Sequence, residues 1–365
     1  MRYVTVEDID DLVAGAMVLG GGGGGDWYAP RQMLLHALDT FGPVPLVDAT
    51  DLDPRAPVLP VLSAGTPSAL VEMFHGERES ALLRSLVEQA LPRPCAAVLP
   101  VQPGPVNALI PLVVAAQLGL PCLDSDIMLR CFPAIEMTVF TLAGIPASPL
   151  FAVDTRGSSV VLDAPSDAGT DSTVSALLRS CMPHMGLVAL VSTYRVTAGD
   201  CARLTAGSGL TRCMMIGRAL RAAHGSPDGL AGFGAVTLFT GVVAELLHRT
   251  TGGFPRGVLS IEGSGIGALD DPARVMRIDF QNENLVATED GVVAVTVPDL
   301  INLVDADTGT VMQTIDVLVG QRLHVVAMPV GGSWHTPEGI ALAGPRAFGL
   351  DVDAVAAPSA RSVRS

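Results

Sequence analysis

Lysine is absent. All 22 basic residues are arginine, against 37 acidic ones, which gives a net charge of −15 over 365 residues. Schiff-base and pyridoxal-phosphate catalysis, the phosphate-loop lysine and the kinase strand lysine all need a side-chain amine, so those chemistries are excluded. A basic stripe is also missing, which argues against nucleic acid as a partner. Aromatics make up only 4% of the chain, so the core must be built from Val, Leu, Ala, Ile and Met. No Gly-x-Ser-x-Gly elbow occurs, which disfavours a serine hydrolase of that type. Among the cysteines (Cys95, Cys122, Cys131, Cys181, Cys201, Cys213) no pair has C-x-x-C spacing. They read as reduced, buried thiols, with Cys131 set apart by its neighbours. A spanning segment is missing too. The stretch from Pro94 to Leu123 carries no charge, but Pro94, Pro100, Pro103, Pro105, Pro111 and Pro121 punctuate it, and a spanning helix needs about 20 apolar residues in one run. The acidic start, Glu7-Asp8, is unlike a signal peptide. The expectation is a cytoplasmic chain with no membrane partner.

What is present is apolar and rich in turns. Hydrophobic residues reach 49%, with 39 glycines and 27 prolines. Thr5 and Asp8 read as a capping box for a helix from Val6 to Ala14. Ala16 to Leu19 reads as a strand and Pro30 to Asp39 as a helix. Strands at 45–47, 58–62, 96–101 and 121–123 alternate with helices at 67–74, 77–91, 106–118 and 135–142. That alternation predicts an α/β domain in three layers with a mostly parallel sheet. After Phe151 the pattern shifts to short strands with Gly/Asp turns, such as Glu289-Asp290-Gly291. The expected organisation is an α/β domain at 1–165, a β-rich, barrel-like domain at 166–355 and a loose tail at 356–365. The acidic, small-residue stretch Asp163 to Thr173 is the expected linker.

Six glycines, Gly20 to Gly25, fall between the expected strand and helix. Each costs backbone entropy on ordering, so such a run is favoured where the backbone must approach something closely. Three readings follow. A nest of N–H groups at Gly22, Gly23, Gly24, Gly25 and Asp26 could hold an anionic substrate group. The run could be a plain turn. Or Gly20, Gly22 and Gly25, with Asp48 ending the next strand, could form a dinucleotide fingerprint. The third is the least specific, since a homopolymer matches any glycine motif.

The second candidate cluster follows the 121–123 strand. Asp124 and Asp126 stand where an open α/β sheet places ligands, and Arg130 and Glu136 lie just beyond. One Asp could act as general base toward water, with Arg130 fixing an anion. The bland alternative is helix capping by Asp126 and a surface Asp124–Arg130 pair. Asn107 reads as a turn residue or as an amide that contacts a ligand. None of the seven histidines has H-x-x-x-H spacing. His335, in a Gly-Gly-Ser-Trp-His loop, is the best single candidate among them.

Three stretches in one chain carry a family resemblance: Leu19 to Asp26, Leu123 to Pro133, and Asp279-Phe280-Gln281-Asn282-Glu283-Asn284-Leu285. Further matches are Phe239 to Val243, Arg249 to Phe254, Val297 to Ile301 and Gly344 to Gly349. Together they resemble the S-methyl thiohydantoin desulfurase family, over nearly the whole chain. Members often occur beside hydantoinase/oxoprolinase subunits. The resemblance implies an N-terminal α/β domain, a C-terminal β-barrel-like domain, and hydrolysis at the C–S bond of a cyclic thiohydantoin or isothiourea. Asn107, Asp124, Asp126 and Arg130 match the family pattern. Five positions depart from it, among them Pro105, which stands where relatives have a glycine. Gln102 and Ala134 stand where relatives have carboxylates, and Ile127 and Leu129 stand where relatives have glycines.

The leading reading is a hydrolase of small cyclic thiohydantoin- or hydantoin-like substrates. Asp124 or Asp126 is its base, Arg130 its cation, and Asn107, Glu136, Asn282, Glu283, Asn284 and His335, with the glycine loop, are substrate contacts. The second is a non-catalytic ligand-binding or accessory subunit of a hydantoinase-type complex, with its carboxylates lost at 102 and 134. The third is a dinucleotide-dependent enzyme. The partner expected is a small molecule, with a homo-oligomer or a hydantoinase-type subunit as further partners. No cofactor is demanded by the residues, and a divalent metal is left open.

Overall fold

The computed structural model describes residues 2–70, 72–164, 172–205, 209–251, 254–263 and 274–358. Most of the expected linker and the end of the expected tail lie outside these described residues. The chain forms two compact units. The first holds Met1–Val13 and Gly25–Met214, and the second holds Ala14–Gly24 and Met215–Ser365.

The strands of the first unit are β1 (Arg2–Val4), β2 (Val44–Val47), β3 (Val58–Gly65), β4 (Ala97–Pro100), β5 (Cys122–Leu123), β6 (Leu150–Asp154), β7 (Ser159–Leu162) and β8 (Val188–Ser192). They form one sheet in the order β1-β2-β5-β4-β3-β8-β6-β7. The ladders β2/β5, β5/β4 and β4/β3 are parallel. The ladders β1/β2, β3/β8, β8/β6 and β6/β7 are antiparallel. The expected mostly parallel sheet is therefore corrected to a mixed one. The short turn from Asp154 to Ser159 shows why, because a connection that brief can only reverse the chain.

The helices are α1 (Ile9–Gly20), α2 (Tyr28–Phe41), α3 (Pro67–Leu70), α4 (Glu77–Gln89), α5 (Ile110–Leu118), α6 (Val139–Leu142), α7 (Ser172–Cys181), α8 (Ala198–Leu204) and α9 (Leu210–Ala222). The Thr5/Asp8 capping box forms, with the Thr5 amide donating to Asp8 Oδ2 at 3.1 Å. The expected strand at Ala16–Leu19 is instead the second half of α1. Leu12, Val13, Ala16, Val18 and Leu19 are all buried. A segment buried on several faces shows no clear period, so its pattern cannot separate helix from strand. Every residue from Ile110 to Ala116 of α5 is buried, which explains the charge-free stretch around it as core. The expected helices 67–74, 106–118 and 135–142 shrink to α3, α5 and α6. Among the described residues no helix is long and apolar enough to cross a membrane.

The second unit is antiparallel. Its strands are β9 (Val236–Thr251), β10 (Phe254–Gly263), β11 (Val275–Gln281), β12 (Glu283–Glu289), β13 (Val292–Thr296), β14 (Leu300–Asp305), β15 (Val311–Met312) and β16 (Arg322–Met328), followed by α10 (Pro337–Ala343). Their order is β13-β12-β11-β10-β9-β16-β14-β15. The sheet has two edges, β13 and β15, so it is open where a closed barrel would have none. The Asp290-Gly291 turn between β12 and β13 forms with positive φ at both residues (47° and 84°), as a tight hairpin requires. Alternate residues, among them Ile301, Leu303, Leu323, Val325 and Ala327, gather in an aliphatic core.

Candidate functional site

The carboxyl ends of the parallel strands carry a group of polar residues. β3 and β4 pair as far as Val61 and Pro100. Beyond that level stand Ser63 on β3, Gln102 after β4, and Asp124 immediately after β5. Open α/β sheets bind ligands at such an edge.

Asn107 links two of these strands. Its Oδ1 accepts from the Ser63 amide at 2.7 Å, and its Nδ2 donates to the Ser63 carbonyl at 3.2 Å. Where β4 turns away, this amide takes up the main-chain groups that a neighbouring strand would have paired. Nδ2 also donates to Gln102 Oε1 at 3.0 Å, and Gln102 Nε2 donates to the Phe132 carbonyl at 2.9 Å. Ser63 Oγ lies 3.3 Å from His75 Nε2. His75 is buried, and among the described residues its Nδ1 has no hydrogen-bond partner. Burial pulls this imidazole down to about 4, partly offset by the charge of Asp154. It is therefore neutral at pH 7.

The two aspartates have different surroundings. Asp126 is 2% exposed. Its Oδ1 accepts from the Met128 and Leu129 amides, and its Oδ2 accepts from the Gly209 amide at 3.1 Å. Burial pushes its carboxyl up to about 6, against the pull of those N–H groups and of Arg212. Asp124 is half-buried, and its Oδ1 accepts from the Thr211 amide at 2.8 Å. The expected helix cap at Asp126 is thus a capped non-helical turn, and the Asp124 partner is a main-chain amide.

Leu129, at the end of that turn, has φ of 66°, the left-handed region that favours glycine. Arg130 is fully buried, not at the surface. Its Nε donates to the Cys131 carbonyl at 2.9 Å, and its guanidinium sits 4.9 Å from the Phe132 ring centre. Glu136 accepts a hydrogen bond from Ser175 of α7. Asp26 is exposed and accepts from the Tyr28 amide at 2.6 Å, and Gly25 has φ of 84°.

The remaining candidates belong to the second unit. Gly21 and Gly22 carbonyls accept from the Asn284 and Thr314 amides at 2.8 and 2.9 Å. A Cβ on Gly22 would lie 2.3 Å from Asn284 Nδ2, and one on Gly23 would lie 2.8 Å from Asn282 Nδ2. The close approach expected of the run is seen, and what approaches Gly22 and Gly23 is protein. Gly24 has φ of 90°. Asn284 donates to the Ile301 carbonyl at 2.9 Å and accepts from Thr314 Oγ1 at 2.7 Å. Asn282 donates to Glu283 Oε1 at 2.7 Å. His335 Nε2 lies 2.9 Å from Asp299 Oδ1, and Asp299 is 1% exposed.

The dinucleotide reading loses its premise. That fingerprint needs a strand before the glycines, and α1 precedes them. Asp48 accepts from the Thr50 amide and hydroxyl at 2.8 and 2.7 Å, which caps its own turn. Among the described residues no three His, Cys, Asp or Glu gather as metal ligands.

Ser63 and His75 escape sequence reasoning. They stand 12 residues apart on a strand and a loop, and no motif spacing joins them. The one signal was that Ser63 ends an apolar run, at the carboxyl end of a strand.

These features define a two-unit protein with a buried polar cluster at the edge of a mixed α/β sheet and a second, antiparallel unit. Residues 7–164 match the S-Me-THD-like N-terminal domain and residues 169–357 match the S-Me-THD-like C-terminal domain. The chain belongs to this family, that of the S-methyl thiohydantoin desulfurases. A crystal structure of a protein from Chromobacterium violaceum shares the fold. Its TM-score is 0.79 at 21% identity, covering 98% of this chain and 100% of that one. No curated protein matches the sequence significantly.

Proposed function

We infer that the chain is a hydrolase of S-substituted cyclic thiohydantoins or isothioureas. The observation that carries this reading is the match of both family domains, which together span nearly all of the sequence. In the net reaction, the ring carbon that bears sulfur gains an oxygen from water and its C–S bond breaks. One proton of the water ends on the thiol and the other on a ring nitrogen. The products are a thiol and a hydantoin-type carbonyl.

The polar edge offers groups for each part. Asp124 is the half-buried carboxylate and suits the role of base toward the incoming water. Asp126, with both oxygens bonded to amides, holds the loop in shape. Arg130, buried at the end of that loop, acts on developing negative charge through its field.

The test is thiol release across a panel of thiohydantoins and their S-methyl forms, read with a thiol reagent. S-methyl forms should release methanethiol, with Asp124→Asn slower by about 10²-fold or more. No thiol from any member of the panel would count against the reading. A non-catalytic, ligand-binding role is the second reading. Gln102 favours it, because its amide is spent between Asn107 and Phe132 where relatives carry a carboxylate. Tight binding of a hydantoin without turnover, or co-purification with a larger hydantoinase-type subunit, would support it.

A further inference from the structure

We propose that Ser63 is the nucleophile of this site, with His75 as its general base, and that hydrolysis runs through a covalent intermediate on Ser63. The proposal rests on the desulfurase reading for its substrate, but not for the reactivity of the serine.

Three observations carry it. The hydroxyl and the imidazole face each other at 3.3 Å. That is within the looser range of a nucleophile–base pair before substrate binds. His75 is 5% exposed, so its ring is held by packing and shielded from water. Ser63 is gripped on both its main-chain groups by Asn107, which fixes its backbone at a strand end. The pair also lies outside any Gly-x-Ser-x-Gly elbow.

The histidine has a counter-charge. The Asp154 carboxylate acts electrostatically on His75 and is itself held by the Arg156 and Ser158 amides at 2.9 and 2.8 Å. Its other oxygen is paired with the Arg156 guanidinium at 2.9 Å, so only part of its charge is left to favour the imidazolium that forms when the serine proton moves.

The steps balance. Ser63 Oγ bonds to the ring carbon as its proton passes to His75 Nε2. The C–S bond breaks, and the imidazolium returns that proton to the departing thiolate. The ring is now held through an isourea-type C–O bond. Water, deprotonated by Asp124, attacks the same carbon. The C–O bond to Ser63 breaks, Oγ takes the proton that Asp124 removed, and the second proton of the water passes to a ring nitrogen, which leaves the hydantoin. No oxidant or other co-reactant enters.

The experiment uses the full chain and a fluorophosphonate probe, with labelled peptides mapped by mass spectrometry. Methanethiol release from an S-methyl thiohydantoin is followed in parallel. The expected result is label on Ser63, slowed at least about tenfold in His75→Gln, and loss of turnover in Ser63→Ala. Label on Ser63 without turnover of any thiohydantoin would keep the nucleophile and overturn the substrate reading. Turnover retained above half in Ser63→Ala, or no label on Ser63, would overturn the proposal. Should Ser63→Ala fail to fold, Ser63→Cys with iodoacetamide asks the same question. Alkylation of the introduced thiol faster than of the buried native thiols supports the pair, and its absence sinks it.

Discussion

Leu129 stands in a conformation that a leucine adopts at a cost. Its φ of 66° follows from the turn that Asp126 closes by accepting the Met128 and Leu129 amides. The left-handed region costs an L-residue about 1–2 kcal/mol, and more for a β-branched one. The family glycine is therefore the natural occupant, and Leu129 strains the loop that carries Arg130. Leu129→Gly should leave stability within about 1 kcal/mol of the native chain, as relieved strain offsets added chain entropy. Leu129→Val should lose about 1–2 kcal/mol. Urea denaturation of both variants checks this, and the reverse order would show that the turn is not left-handed.

His75 gives a second residue-scale expectation, and its sign can be worked out. Burial lowers its pKa from 6.5 to about 4, so the folded state favours the neutral ring. That contribution is present above pH 6.5 and is lost as pH falls toward 4. It is worth on the order of 3 kcal/mol. Asp126 runs the other way. Its pKa rises from 3.8 to about 6, so its contribution is full below 3.8 and lost as pH rises through 6. Between pH 4 and 6 the two oppose each other, and the wild-type profile alone will not separate them. The difference in unfolding free energy between wild type and His75→Gln isolates the histidine. It should shrink as pH drops from 7 to 4.5, and a flat difference would reject the burial account.

At the scale of elements, the glycine run shows how a motif can be seen and its context misjudged. The need for close backbone approach was legible at Gly20 to Gly25. The strand expected before it was not, because Ala16, Val18 and Leu19 are buried within a helix that has apolar residues on several faces. Gly22 combines a φ of 88° with Asn284 Nδ2 at 2.3 Å from any added Cβ. Gly22→Ala should therefore cost several kcal/mol, beyond the roughly 1–2 kcal/mol of the backbone term alone. Gly24→Ala, with φ of 90°, carries at least that backbone term. Thermal melts of the pair check the ranking, and equal midpoints would mean that Asn284 can yield. The strand ends were legible in the same partial way. Asp124 and Asp126 could be found because acids after an apolar run mark the carboxyl end of a parallel strand. Ser63 and His75 could not, since only the fold brings a loop histidine to a strand serine. Asn107 was identified as a residue of interest, but its partner on β3 is 44 positions away.

At the scale of the whole molecule, the division of the chain leads to a test. The family models separate residues 7–164 from 169–357. The compact units cut differently, and the second one includes Ala14–Gly24 from the far end of the sequence. That segment gives the second unit two main-chain acceptors, the Gly21 and Gly22 carbonyls bonded by Asn284 and Thr314. It also gives Ala16, Val18 and Leu19, each no more than 1% exposed. Without it, the buried Asn284 and Thr314 amides lose their acceptors, at about 1–3 kcal/mol each. Burying a side chain such as Leu19 contributes about 1.5–3 kcal/mol more. Those losses are comparable to the whole stability of an ordinary domain, about 5–15 kcal/mol. A fragment of residues 215–358 should therefore lack a cooperative melt and expose apolar surface to a dye. The same fragment with residues 9–24 joined by a flexible linker should recover a sharp transition. A sharp transition in the fragment without that segment, at the midpoint of the intact chain, would show that the second unit is complete without its N-terminal piece.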